Sequence, residues 1–327
     1  MILILSQAHQ EASTDQIIDW ISYYKGKFRR INGIDFYKNI RIEIGDQDHN
    51  VYFENITWDE VGVVWFRRWI SEKDTDHITL NFDKNNIDGL KLQFHEFIRK
   101  ELRTLLTFFF DCIPEGKFFE KRNVDEINKL MVLRKAAELD ICIPNTYILT
   151  NRSCFEKLAS SNKLITKAIS NAPTIHFSNK LYCGYTASID KLPEEIESFF
   201  SPSLFQESIN KKYEIRAFLL SGKFYSMAIF SQNDAQTQLD FRRYNHDKPN
   251  RVVPYQLPNE LENKLFKLAD SFGLKSGSFD LIKTIDNQYV FLEVNPDGQF
   301  GMVSYPCNYH LERKFATELL NFEINGN

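Results

Sequence analysis

The sequence predicts a mixed α/β (α+β) chain of two or three subdomains sharing a cleft, and three observations carry that prediction. The chain has 327 residues, more than one ordinary domain needs. Up to Pro114-Glu115-Gly116, short apolar runs of strand type alternate with helical-period stretches. Beyond that point hairpin signals dominate, with turn residues between β-branched and aromatic runs.

The elements follow in order. "MILIL" reads as a first strand, and "STDQIIDWISYY" as a helix with a Ser/Thr cap and apolar positions at Ile17, Ile18 and Ile21. "IRIEI" and "VYFENI" alternate as strands do, whereas "VGVVWF" is a continuous apolar run of the buried-strand type. A long helix is predicted over residues 88–110, its stripe formed by Leu92, Phe94, Phe97, Ile98, Leu102, Leu105 and Leu106. "NVDEINKLMVLRKAAELD" is a further amphipathic helix, and "ICIPNTYILT" a turn and strand with Pro144 at an edge or strand start. "SNKLITKAIS", "LYCGYTASI" and "SLFQESI" continue a β-rich region. "YEIRAFLLSGKFYSMAIF" is a hairpin turning at Ser221-Gly222. "NELENKLFKLADSFGL" is a helix closed by Gly273. "SGSFDLIKTIDNQYVFLEVNP" is a second hairpin turning at Asp286-Asn287, and "HLERKFATELLNF" a final helix.

Composition narrows the function classes. Hydrophobic residues make up 43% and charged residues 26%, a globular balance that excludes extended disorder. The formal charge of -4 gives no bulk attraction to nucleic acid, although a local basic groove is compatible with it. Five cysteines, Cys112, Cys142, Cys154, Cys183 and Cys307, without a CxxC pair favour neither a disulfide framework nor a zinc site. The N-terminal apolar run lacks a basic flank, and no run approaches the roughly 18 residues that span a bilayer. A cytoplasmic location is expected, with no membrane partner. No GxSxG, HxH or HxxxH spacing offers a hydrolase triad or a histidine metal site.

The last hairpin carries the chemistry. Asp280 and Glu293 lie thirteen residues apart on its two strands, and Asn295 lies two residues beyond Glu293, on the same face. Two carboxylates and an amide oxygen make a hard-oxygen set suited to Mg²⁺ with nucleotide phosphates completing its shell. Solvated outward carboxylates are the alternative; the apolar neighbours Phe279, Leu281, Val290, Leu292 and Val294 weigh against it. Upstream, Lys129 lies one turn into a helix and Lys167 ends the apolar strand Leu164-Ile165-Thr166. A lysine on a buried strand is costly unless it meets an anion, so both are candidate phosphate ligands, with a solvated-face reading open for each. Gln206, Glu207, Ser208 and Ile209 end another apolar strand, where exposed backbone can read an adenine edge. Glu214, seven residues after Glu207, can hold ribose hydroxyls, or be a surface residue.

Taken together, "NK" opening a helix, "ITK", "QESI" then Glu214, "IRAF" and Asp280…Glu293-Val294-Asn295 resemble the ATP-grasp ligases over residues 115–310. A glycine-rich phosphate loop is missing: "AISNAPTIHFSNKLYCGYTA" holds only Gly184. "VWFRRW", "INKLMVLRKAAELDICIPNTYILTN", "DFRRYN" and "EVNPDGQF" look more narrowly like the graspetide maturases, the microviridin-type and grasp-with-spasm macrocyclases. The resemblance implies an ATP-grasp fold with an N-terminal α/β domain (1–115), a central β-rich subdomain (116–205) and a C-terminal α+β subdomain (206–327) bearing the metal site. It implies an ADP-forming ligase that uses ATP and Mg²⁺. Such an enzyme joins Glu or Asp side chains of a ribosomal precursor peptide to Thr, Ser or Lys side chains through an acyl phosphate. Arg216, Arg242 and Arg243 would then serve the γ-phosphate or acyl phosphate, one of Arg67 and Arg68 would enter the cleft to capture the acidic core peptide, and Gln299 and Phe300 would contact that peptide. Homodimerisation is a further implication. An amino-acid or glutamate ligase of the glutathione-synthetase or ribosomal-protein-modifying kind, or a non-catalytic ATP-binding regulator, are the alternatives.

Overall fold

The structure, a computed structural model, describes residues 1–8, 11–46, 49–53, 56–69, 88–120, 127–170, 174–177, 180–243 and 245–325. It divides into two compact units. One comprises Met1–Glu126, Gly273–Lys275 and His310–Asn327; the other comprises Ile127–Phe272 and Ser276–Tyr309.

The first unit is built on a parallel sheet ordered β2-β1-β5. All five residues of β1 (Ile2–Ser6) are buried, as a central strand covered on both faces demands. α1 (Ala12–Tyr23) follows, then β2 (Phe28–Asn32), α2 (Gly33–Asn39) and the hairpin of β3 (Ile40–Ile44) and β4 (His49–Phe53). β5 (Val63–Phe66) and α3 (Asp88–Asp111) complete the N-terminal part, and the C-terminal helix Leu311–Asn325 packs against α1 and β5. The core beside α3 is aromatic: Phe36 contacts Phe53, Trp69 and Phe109 with ring centroids 4.7–5.2 Å apart in edge-on geometry.

Two expectations for this unit change. α1 starts at Ala12 with Glu11 at its cap, and the hydroxyls of Ser13 and Thr14 donate to the Glu11 carboxylate at 3.1 and 2.9 Å instead of capping the helix. A buried carboxylate has first claim on nearby donors. The predicted stripe of α3 is buried only towards its C-terminus, where Leu106 and Phe109 reach the aromatic core; Phe94 and Phe97 are exposed, and the Leu92 side chain lies outside the described residues.

The second unit contains two antiparallel sheets and a hairpin. α4 (Lys129–Glu138) is capped by Asn128, whose side chain accepts from the backbone of Leu130 and Met131; residues 123–126 of the predicted helix lie outside the described residues. Lys129 is thus the first helical residue, not one turn in. Next come β6 (Thr146–Asn151), α5 (Arg152–Ala159) and β7 (Leu164–Lys167). The glycine-poor stretch forms the hairpin of β8 (Thr174–Phe177) and β9 (Lys180–Cys183), with residues 171–173 and 178–179 outside the described set. β10 (Ala187–Ile189) and β11 (Phe199–Glu207) complete the four-stranded sheet β10-β7-β11-β6, in which β6, preceded by Pro144, is an edge.

β12 (Lys211–Leu220), β13 (Lys223–Phe230), β14 (Arg251–Tyr255), β15 (Ser276–Thr284) and β16 (Tyr289–Asn295) form the five-stranded sheet β14-β13-β12-β15-β16. Ser221 and Gly222 both have positive φ, +45° and +83°, the requirement of a tight primed turn. Asn287 takes φ +61° in the second hairpin. α6 (Asn259–Asp270) ends on Ser271, so the positive φ of Gly273, +66°, falls two residues past the cap. The short α7 (Gly301–Ser304) packs against β12 and β13.

Candidate active site

A cleft lies in the second unit between its two sheets. Lys167 on β7 with Gln206 and Glu207 on β11 line one wall. Glu214 on β12, Asp280 on β15 and Glu293 on β16 line the other, and Arg242 reaches in from the loop joining β13 to β14.

Register places the acidic pair. Ile282 faces Val290 and Leu281 faces Phe291, so an unbroken ladder would set Asp280 opposite Leu292. A shift between Asp280 and Leu281 sets it opposite Glu293 instead, leaving Leu292 as the extra residue of a β-bulge. The bulge also reverses the face of the residues before it. Phe291 would share a face with Glu293 by simple alternation, yet its ring lies 6.2 Å from that of Phe279, on the face away from Asp280. Leu292 meanwhile lines the cleft beside Glu293. The predicted pairing of Asp280 with Glu293 is therefore present, by a device that alternation does not reveal.

Three strands present a charged row: Arg216 on β12 faces Asp280, which faces Glu293. One Arg216 nitrogen donates to both Asp280 oxygens at 3.0 Å. Glu293 Oε2 lies 3.3 Å from Lys129 Nζ and 3.9 Å from Lys167 Nζ. Burial pushes the Asp280 carboxyl above its ordinary value, with Arg216 opposing and the like charge of Glu293 adding to the rise. Burial acts on Glu293 in the same direction, but Lys167, Lys129 and Arg242 together outweigh it and hold that carboxyl low. Burial also lowers the Lys167 ammonium. Two carboxylates that repel one another, ringed by cations, form a donor set that fits a divalent hard cation bridged to an oxyanion. Asn295, the third predicted ligand, continues that face opposite Ser278; it is exposed.

The other predicted residues fall as follows. Gln206 is fully buried; its amide donates to Thr146 Oγ at 2.8 Å, and its Oε1 has no hydrogen-bond partner among the described residues. Glu207 accepts from Asn145 Nδ2 at 3.0 Å, and Ser208 N–H donates to the Lys163 carbonyl at 2.8 Å; Ile209 lines the cleft. Glu214 is buried and accepts from Lys211 Nζ and Ser231 Oγ, and burial raises its carboxyl pKa despite both. Arg243 stacks over the Tyr185 ring at 5.4 Å. Gln299 is exposed, whereas Phe300 is fully buried with its ring 5.3 Å from Phe218. Phe300 is thus a core residue, and the expectation that it touches a peptide does not hold.

Arg67 and Arg68 belong to the first unit, at the end of β5. Alternation predicted opposite directions for them, but both meet Glu11: Arg67 Nε lies 3.3 Å from Oε2 and an Arg68 nitrogen 3.2 Å from Oε1. Arg68 has φ +49°, so the strand geometry behind that expectation ends before it. Sequence reasoning missed Glu11, Leu292 and Asp240. Asp240 is buried, and its carboxylate accepts from Arg242 Nε at 2.9 Å, a terminal Arg242 nitrogen at 2.7 Å and the Thr186 N–H at 3.2 Å. The signal available was its place two residues before a candidate arginine.

No protein-family model matches this sequence, and no curated protein matches it. Solved structures do match in fold. The macrocyclase MdnC of Microcystis aeruginosa MRC, bound with precursor peptide MdnA, superposes with a TM-score of 0.74 at 24% identity, over 98% of this chain and 99% of its own. A RiPP-associated ATP-grasp ligase of Chryseobacterium gregarium, in complex with ADP and a leader and core peptide, gives 0.79 at 20% identity over 100% and 97%. The ATP-grasp ligase PsnB, complexed with minimal precursor, Mg and ADP, gives 0.73 at 13% identity over 98% and 97%. The two-sheet cleft and the architecture around it are those of the ATP-grasp fold.

Proposed function

We propose that this chain, which has the ATP-grasp fold, is an ADP-forming ligase that uses ATP and Mg²⁺ to join side chains within a ribosomally made precursor peptide. The observation that carries the reading is the row Arg216–Asp280–Glu293 facing Lys129 and Lys167 inside the two-sheet cleft. Its fold is shared along nearly the whole chain with ligases solved with precursor peptides.

Lys129 and Lys167 bind the nucleotide phosphates as point charges. Gln206, Glu207, Ser208 and Ile209 frame the adenine, and the buried Gln206 Oε1 has no donor among the described residues. Glu214 holds the ribose. Asp280, Glu293 and Asn295 would hold Mg²⁺, which supplies charge neutralisation at the transferring phosphoryl group when bound. Arg216 keeps Asp280 in place, leaving Arg242 and Arg243 to face the developing charge. Of the residues expected to meet the peptide, Gln299 is exposed and open to it, whereas Arg67 is buried against Glu11 and is not a peptide contact.

A Glu or Asp side-chain carboxylate of the peptide attacks the γ-phosphorus; the bond to the bridging β–γ oxygen breaks and ADP leaves. A Thr or Ser hydroxyl, or a Lys amine, then attacks the acyl carbon, losing its proton as inorganic phosphate departs. The product is an ester or an amide, one water lighter for each ring. A cleft that excludes water protects the acyl phosphate between the two steps.

Intact-mass measurement tests the reading. The protein is co-expressed with a short Thr- and Glu/Asp-rich candidate precursor peptide. Loss of one or more waters from that peptide is expected. Mass gain by a free amino acid would point to the amino-acid ligase, and an unchanged mass would contradict the proposal.

A further inference from the structure

The loop joining β13 to β14 is held as a unit by its own contacts. Thr237, fully buried, donates to the Ser231 carbonyl or to Asn250 Oδ1 at 3.0 Å, and Asn245 Nδ2 donates to Asp234 Oδ2 at 2.7 Å. Asp240 lies in this loop and looks both ways. Its Oδ1 faces Arg242 Nε, while its Oδ2 receives both a terminal Arg242 nitrogen and the backbone N–H of Thr186.

Thr186 belongs to a different element. It directly precedes β10, a three-residue edge strand paired only with β7, with Ala187 opposite Thr166 and next to Lys167. So short an edge strand has few ladder bonds of its own to fix it. Tyr185, the residue before, carries Arg243 on its ring. Tyr185 and Thr186, the two residues before that edge strand, are therefore held by Arg243 and Asp240 of the loop on the other side of the cleft.

We propose that Asp240 is a positioning residue that clasps the segment before β10 to the β13–β14 loop, so that Arg242 is aimed into the cleft only while that segment is docked. The inference rests on the reading of Arg242 given above. A single carboxylate satisfies the guanidinium fork and the Thr186 amide together, so losing the carboxylate frees both, and losing the Thr186 amide undocks the segment on which the aim of Arg242 depends. Burial would raise the Asp240 carboxyl, but the Arg242 guanidinium outweighs it and holds the pKa below the ordinary value, so the clasp stays ionised at neutral pH. A nucleotide that touches both sides of the cleft then has more favourable contacts in the clasped arrangement and shifts the population towards it.

Hydrogen–deuterium exchange of the backbone around Thr186, read beside ADP release with Mg·ATP and a Thr- and Glu/Asp-rich candidate precursor peptide, tests this. Asp240→Asn retains one acceptor and turns the other towards a donor. It is expected to speed exchange at Thr186 about tenfold and to lower turnover as far as Arg242→Ala does. The double variant is expected to be no slower than either single one, because the two act as one unit. Arg242→Ala alone should leave exchange at Thr186 slow. Thr186→Pro, which deletes the donor and spares Asp240, should lower turnover in the same way. Unchanged exchange in Asp240→Asn, multiplied losses in the double variant, or full turnover by Thr186→Pro would each overturn the clasp. Full turnover by Arg242→Ala would instead remove the role given to Arg242, and exchange at Thr186 would still decide whether Asp240 fastens the segment.

Discussion

Gly298 has no room for a side chain. A Cβ there would lie 2.3 Å from Ser278 Oγ, 2.4 Å from Ser278 Cβ and 2.9 Å from the Asn295 carbonyl oxygen. The turn after the acidic strand folds back on the strand that carries Asp280, so the neighbours are backbone and a short side chain that cannot move aside. Gly298→Ala is expected to cost about 1–3 kcal/mol, as overpacking does, in a denaturant titration. Unchanged stability would mean the turn is looser than drawn. Single residues were legible in the sequence where the cost of burial is high. Asp280, Glu293 and Lys167 stood out as charges on apolar strands, and the structure brings all three to one cleft. Phe300 was misread because nothing local separates an aromatic that meets a ligand from one that fills the space beside Phe218.

At the scale of elements, the bulge at Leu292 is what the sequence hid. A two-residue turn at Asp286-Asn287 would pair Asp280 with Glu293 without interruption, but the ladder leaves the turn one residue out of that register, with Lys283 opposite Tyr289, and the bulge restores the pair. Bulges follow from whole-sheet packing, here from Phe291 turning to Phe279, and carry no dedicated residue signature. The bulge also places an aliphatic side chain against the proposed nucleotide. Leu292→Ala is expected to weaken ATP affinity by about 1 kcal/mol, roughly fivefold, by calorimetric titration, since Leu292 is only partly buried. Wild-type affinity would take Leu292 out of the binding wall. The helices and hairpins themselves were largely legible: α3 spans Asp88–Asp111 against a predicted 88–110, and Ser221-Gly222 turns with both φ angles positive. Caps were less so, since Ser13 and Thr14 turned out to serve a buried carboxylate.

At the scale of the molecule, each unit follows its own logic. The first is a parallel sheet with an aromatic core; the second clamps a cleft between two antiparallel sheets. Among the described residues no helix is long and apolar enough to cross a membrane. The fold was legible because several weak motifs occurred in one order, and that order is a property of the topology. The clasp through Asp240 was not, because it joins residues 54 positions apart through a backbone amide that any residue supplies.

The central claim is that Asp280 and Glu293 form the metal-bearing edge of a nucleotide site. The most direct measurement is the Mg²⁺ dependence of ATP binding and ADP formation by Asp280→Asn and Glu293→Gln, both checked for a cooperative thermal transition. Each variant is expected to fold and to lose Mg²⁺-dependent ADP formation by at least a hundredfold, on the order of the 3 kcal/mol lost when one preorganised charge-stabilising contact is removed. Folded variants that form ADP at the wild-type rate with wild-type Mg²⁺ dependence would contradict it.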